Sequence, residues 1–271
     1  MNGQQPIGVF DSGIGGLTVL SSLLKLLPGE DYVYFGDTAR VPYGNKTPET
    51  IIYYTRQIVS FLLQKNIKAL VVACNTVSST GLDVIRQMTD IPLFEVITPP
   101  ARKALQVTKN NKIGVIGTTR TISSKAYQNI LRSESSEVEV FARATPLFVP
   151  LVEENVLEKP LTKQVIDYYL YEWKDMIDTL LLGCTHYPLL IPDFQKYFGK
   201  KIHIVDSAGE VANCVRLFFT EENLLRDSEK GGVQYIVSDP AGEFIQFARK
   251  ILGRDISEEC IKFDLSEGGK Q

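Results

Sequence analysis

The sequence has few of the residues on which disulfide scaffolds, metal sites and membrane spans depend. Among its 271 residues there are only four cysteines, two histidines and one tryptophan. Four cysteines in so long a chain do not make a disulfide framework, and no apolar run reaches the roughly 18 residues of a transmembrane helix. The segment from Met1 to Pro6 lacks the basic and apolar regions of a signal peptide. The sequence therefore predicts a cytoplasmic protein that does not contact membranes.

A strong excess of charge of either sign is also missing. The chain has 29 basic and 32 acidic residues, scattered along its length, and a net charge of −3. Nucleic-acid-binding surfaces need clustered lysine and arginine, so no nucleic-acid partner is expected. With 44% hydrophobic and 23% charged residues, the composition is typical of a globular protein with one large or two small domains.

Short apolar runs alternate with helical patterns along the whole chain. The runs predict strands over residues 7–10, 32–35, 70–73, 93–97, 112–116, 138–141, 179–182, 202–205, 234–237 and 260–263. Apolar positions at helical spacing predict helices over residues 17–27, 49–65, 80–88, 123–133, 161–173, 208–225 and 241–252. This alternation predicts βαβ units and an α/β fold with mostly parallel sheets.

Two cysteine-containing segments form the most informative pattern. Residues 70–76 (LVVACNT) and 180–186 (LLLGCTH) each place a cysteine after an apolar strand and before small hydrogen-bonding residues. Segments 7–13 and 113–119 precede them at similar distances and resemble each other. We interpret the pattern as two α/β units of one plan. Since ligands bind at the carboxyl ends of parallel strands, each thiol would then face a ligand.

The two strands that follow the second unit are expected to return to the first sheet. This predicts a discontinuous first domain, residues 1–97 plus 208–271, around an inserted second domain, residues 98–207. Pro99-Pro100 is interpreted as a break in regular structure before the second unit. The charged stretch 221–232 is interpreted as a solvated connection. The fold class is thus two similar, doubly wound α/β domains related by a pseudo-twofold axis, with the active site in the cleft between them.

Two thiols that approach one ligand from opposite sides suit the inversion of a carbon stereocentre. One group removes a proton from one face, and the other returns a proton to the opposite face. Because the pKa of a free thiol is about 8.5, both the thiol and the thiolate are accessible near neutral pH. Cys74 and Cys184 are the candidates for these roles, whereas Cys214 and Cys260 are predicted to be structural.

Segments next to the cysteines carry candidate binding groups. The glycine-rich turn that follows Asp11 suits a small anion, although Asp11 could serve only as a turn or helix-cap residue. Thr18 stands where a dinucleotide fingerprint requires glycine. The turn Pro42-Tyr43-Gly44 can present backbone N–H groups and a phenol. His186, two residues after Cys184, could stabilise a thiolate or orient a substrate.

Two other chemistries would use some of the same residues. Zinc could in principle be held by Cys74, Cys184, His186 and Asp11, but the usual ligand spacings are missing, so no metal is predicted. A Cys–His hydrolase would explain one cysteine and leave the other without a role. Neither alternative accounts for the repeat.

Several segments together resemble the signatures of bacterial glutamate racemases, namely residues 9–17, 34–44, 72–76, 182–189 and 205–208. The resemblance implies a cofactor-independent interconversion of L- and D-glutamate that supplies D-glutamate for peptidoglycan, with Cys74 and Cys184 as the proton donor and acceptor. It also implies ligand contacts, for Asp11, Ser12, Tyr43, Gly44, Asn75, Thr76, Thr185 and His186, and auxiliary positions, at Pro42, Thr118, Thr121 and Glu153.

The resemblance also leaves alternatives open. Segment 150–154 matches the family's Pro-Leu-Val-Glu-Glu, but Asn155 stands where glycine is expected. Aspartate and hydantoin racemases belong to the same superfamily. A non-catalytic amino-acid-binding or regulatory protein could keep the fold, and some glutamate racemases inhibit DNA gyrase as a second activity. The predicted partner is a small-molecule substrate, and a homodimer remains an option.

Overall fold

The computed structural model describes residues 3–239 and 242–263, and its strands form two parallel sheets. The strands are β1 (Ile7–Asp11), β2 (Tyr32–Gly36), β3 (Ala69–Val72), β4 (Leu93–Glu95), β5 (Lys112–Gly117), β6 (Glu139–Ala144), β7 (Thr179–Gly183), β8 (His203–Asp206), β9 (Val233–Val237) and β10 (Cys260–Lys262). Each predicted strand is confirmed, with small differences at the ends.

Helices connect these strands. They are α1 (Leu17–Leu26), α2 (Pro48–Leu63), α3 (Asn75–Ser78), α4 (Leu82–Met88), α5 (Thr98–Val107), α6 (Thr119–Ser123), α7 (Ala126–Glu134), α8 (Phe148–Glu153), α9 (Pro160–Leu170), α10 (Ile191–Phe198), α11 (Ser207–Glu221) and α12 (Gly242–Leu252). Residue 241, predicted as the start of the last helix, lies outside the described residues.

Some helix predictions were wrong for local reasons. Pro99-Pro100 lies in the first turn of α5, because that turn has no hydrogen-bond partner for its N–H groups and so tolerates proline. The helix predicted over residues 123–133 begins later, as α7 at Ala126, since Lys125 between α6 and α7 has a left-handed backbone with φ of 60°. Helices α3, α5, α8 and α10 were not predicted, and α6 shares only Ser123 with a predicted helix.

The two sheets share a common strand order. The six-stranded sheet runs β10-β9-β2-β1-β3-β4, and the four-stranded sheet runs β6-β5-β7-β8. The second order repeats the last four strands of the first. Strand β9 pairs in parallel with β2, with Tyr235 opposite Tyr34, so the last two strands do return to the first sheet. The domain limits 98–207 and 208–271 remain a prediction.

Two glycines show how closely the units correspond. A Cβ atom on Gly8 in β1 would lie 2.7 Å from Cδ1 of Ile67, and one on Gly114 in β5 would lie 2.6 Å from Cδ1 of Ile177. Each isoleucine stands two residues before the neighbouring central strand, β3 or β7. The same close contact therefore recurs at equivalent places, which supports two units of one plan.

Core packing joins the two units. Strands β1, β3 and β7 are buried along their whole length, which explains their continuous apolar runs. One core cluster contains Leu20 of α1, Leu182 of β7 and Val215 of α11, so both units contribute to it. No helix in the described part of the chain is both long and apolar enough to cross a membrane.

The stretch 221–232 is anchored at several points, whereas the sequence predicted a solvated connection. Its first residue still belongs to α11. The side chain of Leu224 is buried, and Arg226 Nη1 lies 3.0 Å from Asp31 Oδ1 beside β2. Many other side chains of the stretch are exposed, as its many charged residues predicted.

Candidate active site

The ends of β3 and β7 meet at one cavity of about 790 Å³. Cys74 follows β3 and Cys184 follows β7, and both thiols are buried in its wall. This volume is in the range of small-molecule sites. The wall also includes many of the residues predicted from the sequence, namely Ser12, Pro42, Tyr43, Gly44, Asn75, Thr76, Thr118, Glu153, Thr185 and His186.

Two of the predicted residues, Asp11 and Thr121, lie behind the cavity wall. A third, Tyr43, lies in the wall, but its phenol hydroxyl does not face a ligand as the sequence had suggested. Asp11 is buried, its Oδ2 accepts the N–H of Gly13 at 2.8 Å, and its Oδ1 has no partner. Thr121 lies 3.0 Å from Thr118 through their hydroxyl oxygens. The Tyr43 hydroxyl donates to Asp37, so its phenol is already engaged.

The Cys74 half of the site keeps its thiol protonated. Cys74 Sγ donates to Ser12 Oγ at 3.1 Å. Burial is the largest influence and, with the charge of the nearby Asp11 carboxylate, raises the pKa of Cys74 to about 12. Burial also raises the pKa of Asp11, against the opposing charge of His186. Cys74 is therefore a thiol at neutral pH.

The Cys184 half of the site contains an ion-paired imidazole. His186 Nδ1 lies 3.7 Å from Cys184 Sγ, and His186 Nε2 lies 3.0 Å from Glu153 Oε1. Burial alone would lower the pKa of His186, but its hydrogen bonds with Cys184 and Glu153 outweigh burial and raise the pKa to about 10. His186 is therefore an imidazolium at neutral pH, and it places a positive charge beside the Cys184 sulfur.

The sequence reasoning missed the part of the wall that α12 forms. Phe247 of this helix has its ring centroid 5.9 Å from that of His186, and Lys250 Nζ donates to Asn155 Oδ1 at 2.5 Å. Nothing in the sequence around α12 marks it as part of a site. Other wall residues that were not predicted are Gly13, Ile14, Thr38, Val41, Asn45, Thr119, Pro146, Val149, Pro150, Val152, Glu154, Phe244 and Gln246.

Asn155 replaces the expected glycine without loss of the local backbone conformation. Its φ of 55° lies in the left-handed region, which glycine adopts freely and which asparagine tolerates better than most residues. The chain can therefore keep Glu153, two residues earlier, in contact with His186.

Among the described residues, no group of three or more histidine, cysteine, aspartate or glutamate side chains could hold a metal ion. Cys214 and Cys260 are half-buried, and the cavity wall does not include either of them. The chemistry of the cavity therefore centres on two thiols, one imidazolium and a set of hydroxyl and amide groups.

Comparison with known proteins identifies the class. A sequence model of the Asp/Glu/Hydantoin racemase family matches residues 7–215. The chain is 47% identical over 254 residues to the glutamate racemase of Geobacter metallireducens, covering 93% of this chain and 94% of that protein. The crystal structure of the Francisella tularensis glutamate racemase with D-glutamate superimposes with a TM-score of 0.91 at 32% identity, covering 98% of this chain and 99% of that one.

A second solved structure agrees. The glutamate racemase of Bacillus anthracis superimposes with a TM-score of 0.92 at 36% identity, over 97% of this chain and 99% of that one. The fold and the site thus define an isomerase, a racemase built from two α/β units. The chain belongs to the Asp/Glu/Hydantoin racemase family, and the resemblance to bacterial glutamate racemases is confirmed.

Proposed function

We propose that this racemase interconverts L-glutamate and D-glutamate by proton transfer between two thiols, without a cofactor. The observation that carries the proposal is the presence of Cys74 and Cys184 in one buried cavity with opposite electrostatic surroundings. Glutamate as the substrate is supported by relatives that are glutamate racemases, one of which holds D-glutamate. A role in supplying D-glutamate for peptidoglycan, in the cytoplasm, is part of the same proposal.

The mechanism assigns different roles to the two halves of the site. In the direction from L- to D-glutamate, the Cys184 thiolate, stabilised by the His186 cation, removes the α-proton of the substrate. The Cys74 thiol then gives its proton to the opposite face of the α-carbon. This step leaves a thiolate at Cys74 and a thiol at Cys184, which is the state that the reverse reaction requires.

The remaining wall residues suit a small zwitterionic dicarboxylate. Ser12, Thr76 and Thr185 offer hydroxyl groups that can donate to carboxylate oxygens, and Asn75 offers an amide. Thr118 bridges the two units, because its hydroxyl lies 3.0 Å from that of Thr76. We assign substrate contacts to these residues and to the backbone of Tyr43 and Gly44, and supporting roles to Asp11, Pro42, Thr121, Glu153 and His186.

Circular dichroism of each glutamate enantiomer with the purified protein, in the absence of added cofactor, tests this function. We expect the optical signal of either enantiomer to decay to zero, and in D₂O we expect deuterium at the α-carbon of the product. Aspartate, tested in parallel, should react far more slowly. A stable signal with an active control enzyme alongside would contradict the proposal, and faster loss of the aspartate signal would reassign the substrate.

A further inference from the structure

One buried tyrosine outside the cavity wall contacts both cysteine-bearing strand ends. The Tyr127 side chain, on α7 of the second unit, is completely buried. Its hydroxyl accepts a hydrogen bond from Asn75 Nδ2 at 2.7 Å and donates to the carbonyl oxygen of Val96 at 2.9 Å. Its ring lies so close to Gly183 that a Cβ atom there would be 2.9 Å from Tyr127 Cε2.

These contacts join the two halves of the site. Asn75 directly follows Cys74, and Gly183 directly precedes Cys184. Val96 lies between β4 and α5, where the chain passes from the first sheet toward the second. One side chain therefore touches both strand ends and the connection between the units.

The hydrogen bonds of Tyr127 also fix the orientation of the Asn75 amide. Asn75 Nδ2 donates to Val96 O at 3.1 Å as well as to the tyrosine hydroxyl, so both of its hydrogens are used. The one hydroxyl hydrogen of Tyr127 goes to Val96 O, so its oxygen can only accept from Asn75, and the nitrogen of the amide must face Tyr127. The carbonyl oxygen of Val96 imposes the same orientation. The amide oxygen, Oδ1, is then held on the other side, where it is buried and has no partner.

A buried acceptor without a partner is costly, and a donor from a ligand or a water molecule would satisfy it. Asn75 belongs to that wall and its side chain is almost completely buried. The substrate proposed above carries one strong donor, the α-ammonium group. We propose that Tyr127 is a positioning residue that holds Asn75 Oδ1 toward the substrate ammonium, an inference that rests on the proposed function for the identity of the ligand.

The test compares two ligands that differ only in the ammonium group. The dissociation constants of D-glutamate and of glutarate, which lacks the amino group, are measured by calorimetry for the unmodified protein, Tyr127→Phe and Tyr32→Phe. Tyr32 is the matched control, because its buried hydroxyl donates to the carbonyl oxygen of Leu27 at 2.9 Å, with that of Leu23 at 3.2 Å, and Tyr32 is not part of the cavity wall.

We expect Tyr127→Phe to weaken D-glutamate binding about tenfold or more, the loss typical of one misplaced hydrogen bond to a charged group, and to leave glutarate binding unchanged. Tyr32→Phe should change neither. Equal weakening of both ligands, or no change in either, would overturn the proposal. If the unmodified protein binds glutarate but not D-glutamate, the proposed substrate fails, which is a distinguishable result.

A double-mutant cycle separates positioning from a general effect on the fold. In the Asn75→Ala background, Tyr127→Phe should cause no further loss of D-glutamate binding, because the amide that it positions is gone. A further tenfold loss there would show that Tyr127 acts through some other contact. Thermal unfolding of Tyr127→Phe and Tyr32→Phe measures how much stability each variant loses, so that a loss of binding can be compared with a loss of stability.

Discussion

The two thiols of this enzyme have the same position in the repeated unit but different neighbours. Each follows a buried central strand, β3 or β7, in two sheets that share one strand order. Cys74 contacts the neutral hydroxyl of Ser12 and lies near a carboxylate, whereas Cys184 contacts the imidazolium of His186. The backbone is repeated, and the electrostatic environment is not.

In the mechanism proposed above, this difference gives a nearly symmetric fold one thiol beside a carboxylate and one thiol beside a cation. The environment of Cys74 opposes a negative charge on its sulfur, and that of Cys184 supports one. Glu153 reinforces the difference by pairing with His186. Substitutions that remove or equalise these neighbours should therefore change the two directions of the reaction in different ways.

The largest effect is expected from removing either thiol. Cys74→Ser and Cys184→Ser should each lower racemisation by at least about 10⁴-fold, because serine is a poor base at neutral pH and the reacting group itself is lost. Each variant should still eliminate halide from a halogenated glutamate analogue of one hand, D for the variant that keeps Cys74 and L for the variant that keeps Cys184. Near-normal racemisation by Cys184→Ser would refute the two-thiol mechanism.

Removing the charged neighbours should have the next largest effect. His186→Asn and Asp11→Asn should each lower turnover by about 10²-fold, the lower end of the range for loss of a proton-transfer assistant. Because the two enantiomers have equal free energies, kcat/KM must fall equally in both directions. We therefore expect kcat and KM to change unequally between L- and D-glutamate, with His186→Asn affecting proton removal from L-glutamate more. Identical changes for both enantiomers in both variants would contradict the division of roles.

The pH dependence should respond to the partner of His186. Since the Glu153 carboxylate helps to raise the pKa of His186 to about 10, the imidazole is charged below that pH and loses its charge above it. Glu153→Gln removes one of the groups that raise this pKa, so the alkaline limb of the kcat/KM profile should move to lower pH. At neutral pH the loss should stay below about tenfold, because Glu153 is 44% exposed and its charge is screened. Glu137→Gln, an exposed carboxylate outside the cavity wall, should leave the limb in place. An unmoved limb in Glu153→Gln would refute the role of the ion pair.

The sequence predicted the strands and the location of two cysteines at strand ends, because both depend on local patterns. Buried parallel strands appear as continuous apolar runs, and the residues after them, such as Cys74 and Cys184, fall at the cleft by topology alone. The position of Asp11 behind the cavity wall could not be predicted, because it depends on how the turn to Gly13 folds back. The contributions of α12 and Tyr127 depend on contacts between units, and no spacing in the sequence records them.

The smallest effect is expected from removing a hydrogen bond next to Cys184. This contact holds the segment after Cys184, much as Tyr127 holds Asn75 next to Cys74. The Oγ1 atom of Thr18, on α1 of the first unit, lies 2.9 Å from the carbonyl oxygen of Thr185 and 2.9 Å from that of Gly15, so its one hydrogen is shared between them. Thr18→Val removes this hydrogen bond at nearly constant volume. It should lower the free energy of unfolding by about 1 kcal/mol, the usual net value of one such bond, and reduce kcat/KM only a few-fold.

Thr55 provides the matched control for this last change, because it is also a buried threonine in a helix but its hydroxyl has no hydrogen-bond partner. Thr55→Val should therefore be neutral or stabilising in urea denaturation, and it should leave kcat/KM unchanged. If Thr18→Val and Thr55→Val had the same effect on both measurements, the Thr18–Thr185 contact would contribute nothing to the Cys184 half. A loss of kcat/KM in Thr18→Val alone would instead support a role for Thr18 of the first unit in holding the Cys184 segment of the second unit.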